Sequence, residues 1–109
     1  MFIYGDLQAA KGWEQLCKSA PGPADAAWVA ITSNPTHTDQ RQHRLKGNLK
    51  NGKHKGEELP QWQYEVTGAG RVWYLVDEKN RLLVLTQAGP GHPGATDRGK
   101  QRRKRGSTT

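Results

Sequence analysis

The chain has 109 residues, of which 33% are hydrophobic, and a mean hydropathy of −0.93. This length and composition predict one domain with a small core and exclude a second. No apolar run approaches the roughly 20 residues that span a bilayer, and the first seven residues lack a signal-peptide pattern. The single cysteine, Cys17, cannot form an internal disulfide. We therefore expect a cytoplasmic protein with no membrane contact.

The net charge of +7 is concentrated in two blocks. Residues 41–60 contain six Lys or Arg against two Glu, and residues 98–109 contain six with no acid. Such blocks favour a polyanionic partner, because each phosphate that is neutralised releases counterions. The pattern predicts nucleic-acid binding, and the alternative is a charged surface that only keeps the protein in solution.

The N-terminal third is predicted to form a short strand over residues 2–4 and two helices. Apolar side chains recur at three- and four-residue spacing from Leu7 to Ala20, which predicts the first helix. Pro21-Gly22-Pro23 is expected to break it, and the second helix follows over Ala24 to Ser33. Trp13 and Trp28, one on each helix, are expected to pack between helices and sheet.

The polar middle of the chain predicts a short strand near His43 to Leu49, followed by a loop rich in Lys and Gly. After it, apolar residues alternate with polar ones from Trp62 to Thr67, a period of two that indicates a strand. Gly68-Ala69-Gly70 turns the chain, and its place between two strands favours a hairpin over a phosphate-binding loop.

Two further strands are predicted over Arg71 to Asp77 and Arg81 to Gln87, which complete an antiparallel meander. Gly89 to Gly94 is expected to be a loop. We place the domain at residues 1–97 and predict that residues 98–109 form a disordered basic tail.

Metal and cofactor motifs are not apparent. The four histidines, at positions 37, 43, 54 and 92, and the single cysteine have no metal-ligand spacing, so neither a metal nor a cofactor is expected.

Four segments, in order, resemble the signature of the RelE/ParE toxin superfamily. They are Leu45-Lys46-Gly47-Asn48-Leu49, Trp62-Gln63-Tyr64-Glu65-Val66, Arg71-Val72-Trp73-Tyr74-Leu75-Val76 and Gly91-His92-Pro93. The chain is most similar to the YoeB-like branch and to actinobacterial RelE-type toxins. The order and spacing of all four segments carry the resemblance.

The resemblance implies an α+β domain of β-α-α-β-β-β order, with an antiparallel sheet packed on a helical pair. It also implies the toxin of a type II toxin–antitoxin system, a ribosome-dependent mRNA endoribonuclease. The concave sheet face would hold mRNA in the A site of the 70S ribosome, and a cognate antitoxin would silence it. Two alternatives are a ParE-like DNA gyrase inhibitor and a non-catalytic nucleic-acid-binding protein of the same fold.

The implied reaction is attack of a 2′-hydroxyl on the adjacent phosphate, which needs a base, positive charge and an acid but no metal. Arg71 matches the family's arginine that opens the third strand, and its planar fork suits phosphate. His92 matches the catalytic histidine near the C-terminus, since imidazole can act as acid or base. The alternatives are a surface arginine and an exposed loop histidine.

His43 stands where the YoeB branch has a catalytic Glu, and Glu65 stands where it has an Arg, so either could be the base. Pro93 follows His92 where that branch has Tyr.

Further RNA contacts are predicted in the basic middle and on the meander. Lys46, Lys50, Lys53 and Lys55 are candidates for phosphate contacts that position RNA without reading its sequence. Trp73 shares the strand face of Arg71 and is the candidate for stacking on an unpaired base. The alternatives are solvated loop lysines and a core tryptophan.

Overall fold

A computed structural model describes residues 2–89. Their elements follow the order β1 (Phe2–Tyr4), α1 (Leu7–Ser19), α2 (Pro21–Ser33), β2 (Gln42–Arg44), a 3-10 helix (Gly47–Leu49), β3 (Asn51–His54), β4 (Glu57–Glu65), β5 (Arg71–Asp77) and β6 (Leu82–Gly89). The predicted α+β class and helical pair are confirmed. His92, the domain boundary at residue 97 and the basic tail lie outside the described residues.

The two helices follow each other almost without a break. Asp6 caps α1 by accepting the N–H of Ala9 over 2.8 Å. Ala20 alone separates the helices, and its N–H donates to the Leu16 carbonyl over 2.8 Å. The predicted break at Pro21-Gly22-Pro23 is therefore wrong in position. Pro21 is the first residue of α2. The backbone N–H at that position has no acceptor within the helix, so proline, which lacks it, costs no hydrogen bond there. Neither helix, at 13 residues, has the length and apolar character to cross a membrane.

The main sheet has the strand order β1-β6-β5-β4-β2, and β3 pairs with the first part of β4. Strands β4, β5 and β6 form the predicted antiparallel meander. The expectation of a wholly antiparallel sheet is wrong, because β1 lies parallel to β6, with Ile3 opposite Val84.

The predicted strand near His43 to Leu49 is present only in its first residues. Strand β2 ends at Arg44, and Gly47–Leu49 form a single 3-10 turn. Gly47 has a φ of 63°, a conformation that glycine adopts without the steric cost that other residues incur. The chain leaves the sheet there, so only the first residues of the segment pair with β4.

A hairpin replaces the predicted Lys- and Gly-rich loop. Strands β3 and β4 are joined by Lys55 and Gly56, whose φ angles of 53° and 81° are both positive, as a type I′ turn requires. Strand β4 consequently starts at Glu57, five residues before Trp62. The apolar alternation that signals a strand is absent from 51–58, which explains why the sequence pattern does not reveal the hairpin.

The core lies between the helices and one face of the sheet. Its largest fully buried members are Leu16 and Ile31 from the helices and Val72, Tyr74 and Leu85 from the sheet. Trp13 packs against this cluster as predicted. Trp28 does not lie in the core. It is 40% exposed and meets Phe2 edge-on at the border of the sheet, with ring centroids 4.7 Å apart.

Candidate functional site

Strand alternation sends a second set of side chains to the face of the sheet that the helices leave uncovered. We call it the helix-free face and define it by His43, Gln63, Glu65, Arg71 and Trp73. The pairing places His43 opposite Gln63, Gln63 opposite Trp73, and Glu65 opposite Arg71. Directly opposite residues have Cβ atoms about 4.5–5.5 Å apart. The helix-free face thus contains three of the predicted catalytic residues, His43, Glu65 and Arg71, together with Trp73, which is predicted to stack on a base.

His43 has one ring nitrogen engaged. Its Nδ1 lies 3.2 Å from the carbonyl oxygen of Arg44, which can only accept a hydrogen bond. Nδ1 therefore carries the hydrogen, and in the neutral ring Nε2 keeps a lone pair. This tautomer suits a general base.

A buried hydrogen-bond network holds the strand that carries His43. The preceding residue, Gln42, is 2% exposed and donates from Nε2 to the Asn34 carbonyl over 2.9 Å and to the Tyr74 hydroxyl over 3.0 Å. The Tyr74 hydroxyl donates to the Pro35 carbonyl over 2.8 Å. Burial raises the pKa of Tyr74, so the hydroxyl stays protonated. With Gln42 fixed towards the helices, His43 must point to the helix-free face.

Asp39 fixes the start of β2. Its carboxylate accepts the backbone N–H groups of Arg41 and Gln42, each over 2.8 Å, and lies 3.0 Å from His37 Nε2. The two backbone hydrogen bonds, followed by the one from His37, lower the pKa of the Asp39 carboxyl. The ionised carboxylate of Asp39 therefore holds the turn that leads into β2.

Arg71 combines a structural contact with an ionic one. Its Nη1 donates to the carbonyl oxygens of Thr67, Gly68 and Gly70 over 3.0, 3.2 and 3.2 Å. The same atom lies 3.8 Å from Glu65 Oε2. The side chain of Arg71 is 13% exposed and that of Glu65 35%. The guanidinium thus stabilises the turn between β4 and β5 by hydrogen bonds, and its positive charge lies beside the Glu65 carboxylate.

Trp73 and Gln63 are linked across β5 and β4. The indole Nε1 donates to Gln63 Oε1 over 2.9 Å. Trp73 is 5% exposed, so stacking on a base would require the ring to become accessible. Beside this pair, Gln61 donates to the Leu49 carbonyl over 2.9 Å and accepts from the Thr86 hydroxyl over 2.7 Å. Both ends of Gln61 are occupied by structural bonds.

A basic groove borders the face along the outer edge of β2. It has a volume of about 620 Å³ and is lined by Thr38, His43, Arg44, Leu45 and Lys46. Arg44 also ties β2 to β3, donating from Nη2 to Asn51 Oδ1 over 2.8 Å. Lys46 shares this groove with His43, whereas the guanidinium of Arg44 is bound by the Lys50 carbonyl and Asn51.

The four predicted RNA-binding lysines do not form one patch. Lys46 and Lys50 flank the 3-10 helix next to β2, whereas Lys53 and Lys55 belong to the hairpin. Along β4, at about 3.3 Å per residue, the turn at Lys55 lies roughly 20 Å from Gln63. All four side chains are exposed. The positive charge therefore extends along the sheet rather than surrounding His43.

Two residues of the site were not identified from the sequence. In the sequence, Gln63 is only a polar position of the Trp62 strand, and no motif points to Arg44. The alternation of apolar and polar residues in this strand predicts that Gln63 lies on the face away from the core. Only the pairing of β2 with β4 shows that it lies beside His43. Within residues 2–89, no group of three His, Cys, Asp or Glu side chains is placed to hold a metal ion.

Comparison with known proteins identifies the fold. No protein-family model and no curated protein sequence matches the chain. A solved YoeB/ParE toxin from Agrobacterium tumefaciens is 14% identical, with a TM-score of 0.60 over 81% of this chain and 94% of the other. A YoeB–YefM complex from Staphylococcus aureus is 13% identical (TM-score 0.57, 82% and 93% covered). A copper-bound mutant toxin from Helicobacter pylori is 16% identical (TM-score 0.57, 81% and 90% covered). The chain therefore has the fold of the YoeB/ParE-type toxins, which confirms the RelE/ParE resemblance of its sequence at the level of architecture.

Proposed function

We propose that this protein is the toxin of a type II toxin–antitoxin system and that it cuts mRNA on the 70S ribosome in the cytoplasm. The observation that carries the proposal is that His43, Glu65 and Arg71 share one helix-free sheet face, with a groove lined by His43 and Lys46 beside it. A base and a cation on one face of the protein are what attack by a 2′-hydroxyl on a phosphate requires.

In the proposed reaction, Nε2 of His43 takes the proton of the 2′-hydroxyl. The 2′-oxygen attacks the adjacent phosphorus, and the bond from phosphorus to the 5′-oxygen breaks. The products are a 2′,3′-cyclic phosphate and a 5′-hydroxyl, whose proton we assign to His92 on the strength of its match to the family. No metal takes part in these steps.

Two contacts support our choice of His43 over Glu65 as the base. Glu65 lies 3.8 Å from Arg71, so its charge is already compensated, whereas the His43 tautomer leaves Nε2 as an acceptor. We therefore give Glu65 the role of holding Arg71, and Arg71 the role of balancing negative charge on the phosphate. Stacking by Trp73 stays a prediction.

The basic groove provides a path for the RNA backbone. Lys46 and Lys50 next to β2 are placed to contact phosphates near the reacting one, and Lys53 and Lys55 to contact rRNA or mRNA further along. Each phosphate contact should add just under one to the slope of log K against log salt. Ribosome binding should therefore weaken steeply as salt rises.

An antitoxin is the second partner. One of the similar solved structures is a YoeB–YefM complex, and another is a heterotetrameric YoeB–YefM toxin–antitoxin complex, both from Staphylococcus aureus. By analogy, a cognate antitoxin should cover the helix-free face with an acidic segment that folds on binding.

Expression in cells, together with two assays, tests the function. The wild-type protein should arrest growth, and purified protein should cut mRNA on 70S ribosomes in a primer-extension assay while leaving gyrase supercoiling unchanged. His92→Ala and Arg71→Ala should each abolish growth inhibition in protein that circular dichroism shows to be folded. Inhibited supercoiling with intact mRNA would identify a gyrase inhibitor, and no effect in either assay would favour a non-catalytic binding protein.

A further inference from the structure

The amide of Gln63 has a defined orientation because Trp73 sets it. An indole N–H can only donate, so the Gln63 atom that it meets at 2.9 Å must be the oxygen, Oε1. The Nε2 group, with its two hydrogens, is then turned away from Trp73. Amide orientations in proteins are assigned from such networks, and a donor-only partner leaves one solution.

The two hydrogens of Gln63 Nε2 have no acceptor among residues 2–89. Gln63 is half-buried, and the only hydrogen bond of its side chain there is the one that Oε1 accepts. Gln61, the neighbouring glutamine on this face, uses both ends of its amide in bonds to Leu49 and Thr86. The fold therefore holds these two hydrogens in place without using them, which leaves them available to a ligand.

The pairing places Gln63 beside His43. Gln63 lies between Trp73 on β5 and His43 on β2, directly opposite each of them. With Oε1 bound to Trp73, Nε2 is the part of the amide that is left to meet a ligand lying between Gln63 and His43. A phosphate whose neighbouring 2′-hydroxyl gives its proton to His43 would lie within reach of Nε2, since the opposing Cβ atoms are about 5 Å apart.

We propose that Gln63 is a catalytic residue that donates from Nε2 to a non-bridging oxygen of the scissile phosphate. This inference rests on the proposed function and names the group that the face recognises, an RNA phosphodiester. The bond would strengthen as negative charge grows on that oxygen during attack by the 2′-oxygen. A neutral amide fixed in advance acts in this way at other oxyanion sites, where loss of one donor lowers kcat by about 10²–10³-fold.

Gln63→Glu separates the proposed role from a structural one. A carboxylate at position 63 still accepts from Trp73 Nε1, so the fold is kept, but it has no hydrogen to donate and it repels phosphate. Gln87→Glu is the matched control, because Gln87 faces Trp73 from the opposite strand and lies three strands from His43. Single-turnover cleavage of mRNA on 70S ribosomes should fall about 10²–10³-fold in the first variant and change little in the second.

A phosphorothioate at the scissile linkage tests the contact itself. Sulfur accepts hydrogen bonds less well than oxygen, so the wild-type protein should cut one of the two diastereomers several-fold more slowly than the all-oxygen mRNA. In Gln63→Ala that difference should disappear, a result that a purely structural glutamine would not give. Wild-type rates in both Gln63 variants, or an unchanged sulfur effect in Gln63→Ala, would overturn the inference alone. A wild-type protein that leaves mRNA intact would overturn the proposed function and the inference with it.

Discussion

Gly12 of α1 lies directly against the backbone of Ala88 in β6. A Cβ atom at position 12 would overlap the carbonyl oxygen of Ala88. The absence of a side chain therefore sets how closely the first helix packs on the sheet. The core beneath it, with Leu16 and Leu85 fully buried, depends on that approach.

Gly12→Ala should lower the free energy of unfolding by about 1–3 kcal/mol or more, because the helix must move away from β6. Urea denaturation measures the change. Gly68→Ala in the turn between β4 and β5 is the control, since a Cβ there meets nothing within 4 Å. It should be neutral or stabilise the fold by up to about 1 kcal/mol, as alanine restricts the unfolded chain more than glycine does. Equal effects of the two substitutions would contradict this account of the packing.

Tyr74→Phe should lower the free energy of unfolding by about 1–3 kcal/mol. The variant leaves the Pro35 carbonyl without its donor and takes one acceptor from Gln42 in a buried site. Tyr64→Phe provides the comparison, because no hydrogen bond of the Tyr64 hydroxyl is found within residues 2–89. Chemical denaturation of both variants should show a clear loss for Tyr74 only. A similar loss for Tyr64 would show that ring packing, not the hydrogen bond, was affected.

Trp73→Phe should reduce cleavage by about two- to tenfold, the range that corresponds to a net hydrogen-bond energy of about 0.5–1.5 kcal/mol. Phenylalanine keeps an aromatic ring but cannot donate to Gln63, so the amide is no longer held in one orientation. Single-turnover rates of this variant should lie between those of the wild type and Gln63→Ala. An unchanged rate would show that Trp73 does not orient Gln63.

Asp39 should make the fold sensitive to acid. Hydrogen bonds from Gln42 and Arg41 lower the pKa of its carboxyl in the folded state, below the value of about 3.9 expected in the unfolded chain. A carboxylate shifted in this direction stabilises the fold above the unfolded pKa and loses that contribution as pH falls through the folded value.

Wild-type stability should therefore fall below about pH 4 more than that of Asp39→Asn, which has no carboxyl to protonate. Asp77, whose pKa is also lowered, chiefly by Asn80, is present in both proteins and cancels in the comparison. Thermal unfolding from pH 6 to pH 2.5 measures the difference. Parallel losses in the two proteins would contradict the role of Asp39.

The parts of the fold with a clear hydrophobic period were predictable. Both helices and the three strands of the meander follow from apolar spacing, with only their ends displaced. The β3–β4 hairpin could not be predicted from apolar spacing. Its first strand, from Asn51, and the start of its second, from Glu57, are polar, and only two residues separate the strands. The parallel placement of β1 beside β6 is a long-range pairing that no local pattern indicates.

The site was predictable in its residues but not in its connections. His43, Glu65 and Arg71 were selected from the order of motifs, and the structure places them on one face. Their bonding depends on tertiary pairing. Arg71 binds the carbonyls of the turn that precedes it, and Trp73 is linked to Gln63 across ten residues of sequence. Neither contact follows from residue type or spacing alone.

The central claim is that mRNA is cut on the helix-free face with His43 as the base. It is tested most directly by the single-turnover cleavage rate of His43→Ala on mRNA-programmed 70S ribosomes, with His54→Ala on the β3–β4 hairpin as the matched control. Loss of a general base should slow cleavage about 10²–10⁴-fold in the first variant and leave the second near the wild-type rate. Cleavage by folded His43→Ala at the wild-type rate would contradict the account.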